Sequence, residues 1–100
     1  MGIKIVRNGD VVDAYVEGRF TFELNREFRP LIDLVDKEAI KRIAVHFSAV
    51  SYIDSAGLGM LLLLRDAAEK KESILELQSP SEALQPIFRA TRFYDMFTII

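Results

Sequence analysis

The sequence predicts an α/β fold in which a mixed, mostly parallel β-sheet of about five strands is covered by α-helices. Two observations lead to this prediction. Short runs of apolar and β-branched residues, typical of strands, recur along the chain. Longer segments with helical periodicity lie between most of them. The resulting element order, ββαβαβαβ, is typical of sandwiches in which helices connect parallel strands. With 100 residues, we expect one domain spanning residues 1–100.

The first part of the chain predicts a hairpin followed by a helix. Strands over residues 3–6 and 11–16 flank Asn8-Gly9-Asp10, and Asn-Gly is a strong hairpin signal because both residues tolerate positive φ. Proline at position 30 is the weak point of the following helix, since proline destabilises a helix interior by roughly 3 kcal/mol. The apolar residues that give this helix its amphipathic spacing are Leu24, Phe28, Leu31 and Val35.

The second part predicts two further strand–helix units. A strand over residues 43–47 precedes a helix over about 57–70, and a strand follows over 74–77. The segment Ser79-Pro80-Ser81-Glu82 has a capping serine, a proline at the first helical position and a glutamate at the third. It predicts a third helix that begins there and contains Pro86 in its interior. We expect residues 96–100 to form an edge strand.

Composition excludes several classes of function. Half of the residues are hydrophobic and 28% are charged, as in ordinary globular proteins. The net charge of −2 argues against sequence-independent nucleic-acid binding. The absence of cysteine excludes disulfides, thiolate metal sites and a cysteine nucleophile. The first residues lack signal-peptide architecture, and the longest apolar run, residues 56–64, is too short to span a bilayer. We therefore expect a cytoplasmic protein without direct membrane insertion.

The sequence contains no convincing catalytic, metal or cofactor site. Ser55, His46 and Asp54 could suggest a hydrolase triad, but the G-x-S-x-G pattern of the nucleophile elbow is absent. One histidine and no cysteine argue against a metal site. The run Ala56-Gly57-Leu58-Gly59 lacks the lysine of a P-loop and the third glycine of a dinucleotide fingerprint. We expect a protein that is not an enzyme and binds no cofactor.

The most informative segment is Val50-Ser51-Tyr52-Ile53-Asp54-Ser55-Ala56-Gly57-Leu58-Gly59, where a strand should give way to a helix. Either Asp54 or Ser55 falls at the helix N-cap, where short polar side chains accept backbone N–H groups. A phosphate on a hydroxyl there would be tolerated, because free N–H groups and the helix dipole both favour an anion. Ser55 is therefore a candidate switch, and a plain structural cap is the alternative.

The helix after Ser55 leaves two interpretations open. Residues 60–64 are all apolar, so the helix could simply be buried on every side. Alternatively, Met60 and Leu63 form an exposed apolar strip beside Ser55 that suits a partner surface.

The motif resembles the signature of STAS domains, specifically that of the bacterial anti-sigma factor antagonists. The resemblance also includes Gly18-Arg19-Phe20, the 43–47 strand and Ser79-Pro80, so it covers nearly the whole chain. Within the family, Gly18-Arg19-Phe20 with Phe28-Arg29, together with the run over residues 59–65, look most like a proteobacterial branch. The resemblance implies a STAS-like fold. It also implies a role in a partner-switching system, the kind of regulatory system with which this branch is associated.

In such a system the resemblance implies a three-body switch. The unphosphorylated antagonist binds an anti-sigma factor that is also a serine kinase, a histidine-kinase-like ATPase. This kinase phosphorylates the motif serine, Ser55 here, and the complex dissociates. A PP2C-type serine phosphatase restores the binding form. The expected partner-binding residues are Thr21, Asp54, Ser55, Ala56, Gly57, Gly59, Met60 and Leu63.

One position departs from the family pattern. The family usually has an aspartate where this chain has Thr21, which could instead be a helix cap. Because STAS domains also occur in lipid-trafficking ABC systems, the alternative function is an accessory subunit of such a transporter that is not regulated by phosphorylation.

Overall fold

Five β-strands form a sheet in this computed structural model, which describes residues 2–100. They lie across the sheet in chain order. β1 and β2 are antiparallel, and each later strand runs parallel to its predecessor. The predicted mixed, mostly parallel sheet is therefore confirmed. The strands are β1 (Ile3–Asn8), β2 (Val11–Phe20), β3 (Arg42–Ile53), β4 (Ile74–Gln78) and β5 (Thr98–Ile99).

Two long helices and two short ones join the strands. A 3-10 turn over Phe22–Leu24 leads into the first helix, and the short α4 was not predicted. Pro30 lies on the exposed side of the first helix, which continues through it. The helices are α1 (Asn25–Lys37), α2 (Ser55–Lys70), α3 (Gln85–Ala90) and α4 (Phe93–Met96). Among residues 2–100, no helix combines the length and apolar character needed to cross a membrane.

The helices cover one face of the sheet. On that face the ring centroid of Phe47 lies 6.2 Å from that of Phe20 and 5.8 Å from that of Phe88 on α3. Phe28 of α1 packs against Phe20 at 5.1 Å. The opposite face carries polar and exposed side chains, and Tyr15 there is 46% exposed. The sheet is therefore covered on one side only.

The hairpin turn lies one residue later than the Asn-Gly signal suggests. Asn8 pairs with Val11, so the two loop residues are Gly9 and Asp10. Gly9 has a φ of +64°, whereas Asp10 does not have a positive φ. A positive φ at only the first loop residue is the pattern of a type II′ turn, in which glycine is favoured at that position.

The predicted start of the third helix is wrong. α3 begins at Gln85, and Pro86 is its second residue, where the missing N–H breaks no helical hydrogen bond. Ser79 has a left-handed φ of 54°, and its N–H donates to the carbonyl of Ile100. The Ser81 hydroxyl donates to the carbonyl of Val50 at 2.6 Å. The polar residues that resemble a capping box therefore tie the loop to β3 and to the C-terminal segment.

Candidate functional site

β3 continues to Ile53, well past the predicted end at residue 47. The motif therefore lies at the carboxyl end of this central strand. The pairing of β3 with β2 shifts twice: once between the Tyr15 and Glu17 pairs and once between Gly18 and Arg19. At each shift β3 contains one extra residue, as in a β-bulge. Bulges bend a strand and increase its twist. The last residues of β3 therefore turn toward the start of α2.

Asp54 is the N-cap of α2. Its carboxylate accepts the Gly57 N–H at 2.8 Å, and its carbonyl accepts the Leu58 N–H at 3.0 Å. Its own N–H donates to the carbonyl of Phe20 at 3.3 Å, which joins the ends of β2 and β3. The helix thus starts at Ser55 rather than near residue 57, and the choice between Asp54 and Ser55 as the cap is settled for Asp54.

Ser55 is the first residue of α2, and it is exposed. Because Asp54 supplies the cap, the Ser55 hydroxyl is not needed to start the helix. The N–H groups of Ser55 and Ala56 belong to the first turn and have no partner within the helix. These donors and the helix dipole would stabilise an anion on the Ser55 oxygen. The negative charge of the neighbouring Asp54 would oppose this stabilisation.

An apolar groove lies beside Ser55. Its volume is about 280 Å³, and it is bordered by two exposed side chains, Phe22 (68% exposed) and Leu63 (48% exposed). We call it the α1–α2 groove. The residues that line it are Phe22, Asn25, Ala56, Gly59, Met60 and Leu63. The site therefore combines an exposed hydroxyl with an apolar surface of the kind that partners bind.

Phe22 is the groove residue that the sequence analysis missed. The chain has seven phenylalanines, and six of them are buried. Phe22 is the exposed one. Phe22 falls outside the helical spacing of Leu24 and Phe28. This position off the apolar face of the helix was the sequence feature that could have indicated its exposure. An exposed phenylalanine next to a groove is more informative than a buried one, since large apolar side chains are usually buried.

The two open interpretations of the 60–64 run are each correct in part. Leu63 is exposed, but Met60 is only 5% exposed and forms the groove floor. The expected strip of two exposed residues is therefore wrong for Met60, because the α2 surface that carries Met60 faces α1 and the core. Phe22 takes its place as the second exposed apolar residue.

Thr21 and Asp54 both lie at the carboxyl ends of neighbouring strands, β2 and β3. Thr21 directly follows Phe20, whose carbonyl accepts the Asp54 N–H. Thr21 is the N-cap residue of the 3-10 turn, and its carbonyl accepts the Leu24 N–H at 2.9 Å. Its side chain is 7% exposed and makes no capping hydrogen bond, so only the backbone of Thr21 serves as the cap. Gly57, another expected partner-binding residue, is buried between α2 and the end of β2.

These features define a class of α/β protein. The helices cover one face of the sheet, and a serine motif lies where a strand meets a helix. The sequence model of the STAS domain family matches residues 2–100. A STAS-domain containing protein of Pseudomonas aeruginosa (strain UCBPP-PA14) is 33% identical over 94 residues, which is 92% of this chain and 90% of that protein. The chain belongs to the STAS domain family.

Solved structures share the fold. A putative anti-sigma factor antagonist from Thermotoga maritima superposes with a TM-score of 0.84 at 20% identity, covering 97% of this chain and 84% of that one. The anti-sigma factor antagonist SpoIIAA in its unphosphorylated form superposes with a TM-score of 0.77 at 18% identity, covering 98% and 86%. At these identities the likeness establishes the fold.

Proposed function

We propose that this chain is an anti-sigma factor antagonist that works by partner switching. In its unphosphorylated form it binds an anti-sigma factor that is also a serine kinase. Phosphorylation of Ser55 by that kinase releases the complex, and a PP2C-type serine phosphatase restores the binding form. The chain itself acts as a regulatory binding module rather than an enzyme.

One observation carries the proposal: an exposed serine hydroxyl lies on the first turn of α2, beside the α1–α2 groove. A kinase can reach this hydroxyl without unfolding the chain, since Asp54 rather than Ser55 holds the helix start. The groove supplies apolar area for the same partner. The phosphorylated residue and the binding surface thus adjoin each other. A phosphate on Ser55 can therefore interfere directly with the bound partner.

Electrostatics explain why phosphorylation would release the partner. A phosphoserine adds about −1.5 to −2 charges at neutral pH. In a complex this charge would be desolvated against the apolar groove and next to the Asp54 carboxylate, both of which are unfavourable. In the free protein the same phosphate is exposed to water and lies near the N–H groups of the first turn. The charge therefore weakens binding far more than it weakens the fold.

The experiment that tests this proposal is phosphorylation by the cognate kinase. We expect purified chain, ATP and candidate histidine-kinase-like ATPases from the same genome to give stoichiometric phosphate on Ser55, measured by intact mass and peptide mapping. Ser55→Ala should abolish the signal. Ser51→Ala is the matched control, because Ser51 is an exposed serine at the end of β3 in the same motif.

The binding measurement completes the test. The unmodified chain should form a complex with the kinase, and the phosphorylated chain should bind at least tenfold more weakly. Absence of both phosphate and kinase complex would refute the proposal. A stable complex with a transport ATPase in that situation would favour the accessory-subunit function instead.

A further inference from the structure

A second cavity lies on the sheet face that the helices leave open. Its volume is about 300 Å³, and its lining comes from the residue before β1 and from β1, β2 and β3. That volume is at the lower end of the roughly 300–1,000 Å³ typical of small-molecule sites. It shares no lining residue with the α1–α2 groove, so it is a separate surface and does not depend on the proposed function. We call it the sheet-face cavity.

An aromatic pair forms the wall of the sheet-face cavity. The rings of Tyr15 and His46 stack with centroids 4.3 Å apart and planes 9° apart. His46 Nε2 and Asp13 Oδ1 are 2.8 Å apart, and both side chains are half-buried. Because an ionised carboxylate only accepts hydrogen bonds, Nε2–H is the donor in this pair. Asp13 therefore fixes the His46 ring, and His46 in turn supports the Tyr15 ring.

A β-bulge opens the sheet at this point. Tyr15 pairs with His46 and Glu17 pairs with Ala49, so β3 has one extra residue between these two pairs. Ser48 lies in this interval, is exposed and lines the cavity. Bulges are enriched next to functional sites because they redirect side chains. Here the bulge places Ser48 in the lining of the same cavity as Tyr15.

The lining of the cavity carries one charge of each sign, and the positive one, Lys4, lies on β1. Lys4 lies directly opposite Tyr15 in the β1–β2 register and is exposed. Among residues 2–100, no carboxylate lies within ion-pairing distance of its ammonium group. The hydroxyls of Tyr15 and Ser48 are further possible donors. Glu17 is the one carboxylate of the lining.

We propose that the sheet-face cavity binds a small planar carboxylate. The Lys4 ammonium and the Ser48 hydroxyl donate to the carboxylate, and the planar part of the ligand packs against the Tyr15 ring. Offset packing of planar groups on an aromatic ring is favourable, and charge-assisted hydrogen bonds fix the orientation. His46 and Asp13 are positioning residues that hold Tyr15 in place before the ligand arrives, which reduces the entropy lost on binding.

Benzoate is the probe, and its neutral analogue benzamide is the control. In a two-dimensional amide NMR titration of the full chain, we expect benzoate to produce saturable shifts at residues 15–17 and 46–49 and none along α2. Benzamide should bind much more weakly. No saturable shift with benzoate, or equal shifts with both compounds, would overturn the proposal.

Two variants that each remove one charge from the lining should change benzoate affinity in opposite directions. Lys4→Gln should weaken benzoate binding roughly tenfold, as expected for loss of a hydrogen bond to a charged group. Glu17→Gln should strengthen it, because a nearby negative charge is removed. Lys70→Gln is the control, since Lys70 is exposed on α2 and does not line the cavity. Unchanged affinity in Lys4→Gln, or weaker binding in Glu17→Gln, would contradict an anion site.

The positioning role has its own signature. Stacking on Tyr15 shifts the His46 ring protons through the ring current of the tyrosine. In Asp13→Asn we expect these resonances to move toward free-histidine positions and benzoate affinity to fall, with Asp13→Glu recovering part of both. Asp13→Asn with unchanged ring resonances and unchanged affinity would show that Asp13 does not position the pair.

Discussion

Two glycines of the motif, two residues apart in α2, have different structural roles. A Cβ added at Gly57 would press on the carbonyl oxygen of Phe20 and lie 2.8 Å from Ile53 Cγ1. A Cβ added at Gly59 would meet no atom within 4 Å. Neither glycine has a positive φ. Close packing of α2 on the sheet therefore requires Gly57, whereas packing does not require Gly59.

This difference predicts opposite effects of the same substitution. Gly57→Ala should destabilise the protein by roughly 1–3 kcal/mol, because α2 must move away from the strand ends. Gly59→Ala should stabilise it by roughly 0.5–1 kcal/mol, because alanine favours a helix interior. Urea unfolding measures both values. A Gly59→Ala protein less stable than Gly57→Ala would disprove this assignment.

The groove residues separate stability from binding. Met60→Ala should lower stability by about 2–5 kcal/mol, as expected when a buried side chain leaves a cavity. Leu63→Ala and Phe22→Ala should change stability by no more than about 0.5 kcal/mol, because both side chains are exposed. Their affinity for the kinase should nevertheless fall by roughly tenfold or more if they are anchor residues. Paired unfolding and binding measurements test this, and a Leu63→Ala protein as unstable as Met60→Ala would place Leu63 in the core.

At this scale the sequence identified part of the candidate site but not its full surface. The short polar residues between a strand and a helix identified Asp54 and Ser55, because capping chemistry is local. Phe22 was missed, and whether Met60 is exposed was left open. Both depend on how α1 and the 3-10 turn pack beside α2, and periodicity along one helix does not determine that packing.

At the scale of elements, predictions were good where periodicity is regular and poor where the backbone is irregular. The start of β3 and the body of α1 follow simple apolar spacing and were predicted. The end of β3 was not, because its two bulges replace strict alternation with the buried residues Val50 and Ile53, three positions apart. The loop before α3 was misread because the Ser81 hydroxyl donates to β3 and the Ser79 N–H donates to Ile100, so neither serine side chain caps the helix.

The contact between β3 and β4 predicts a pH dependence. A hydrogen bond from Arg42 lowers the pKa of Glu76 below its usual value of 4.5, burial opposes this, and Gln78 adds a second bond. A carboxylate with a lowered pKa in the folded state contributes stability that is present above pH 4.5. That contribution is lost as the pH falls through the lower folded value.

Arg42→Gln should therefore reduce stability at neutral pH, and the gap to the wild type should close as the pH is lowered below the carboxyl range. Urea unfolding over a pH series gives the two curves. Glu76→Gln is the control: combined with Arg42→Gln, it should add little, because the two residues stabilise the fold through one interaction. A gap that stays constant with pH would show that Arg42 acts through packing alone.

At the scale of the whole molecule, a row of aromatic rings links the two ends of the fold. The contacts run from Phe28 through Phe20, Phe47 and Phe88 to the C-terminal segment, with centroids 5.1–6.2 Å apart. Aromatic pairs of this kind stabilise beyond the area they bury. This aromatic row lies under the helices, and Ser55 is exposed outside the core.

The central claim is that a phosphate on Ser55 blocks partner binding while the fold remains intact. The most direct measurement compares the phosphorylated and unmodified chains in two assays, thermal unfolding and kinase affinity. We expect the two melting temperatures to agree within a few degrees and the affinity of the phosphorylated form to be at least tenfold lower. Equal affinity in the two forms, or unfolding of the phosphorylated chain, would contradict the claim.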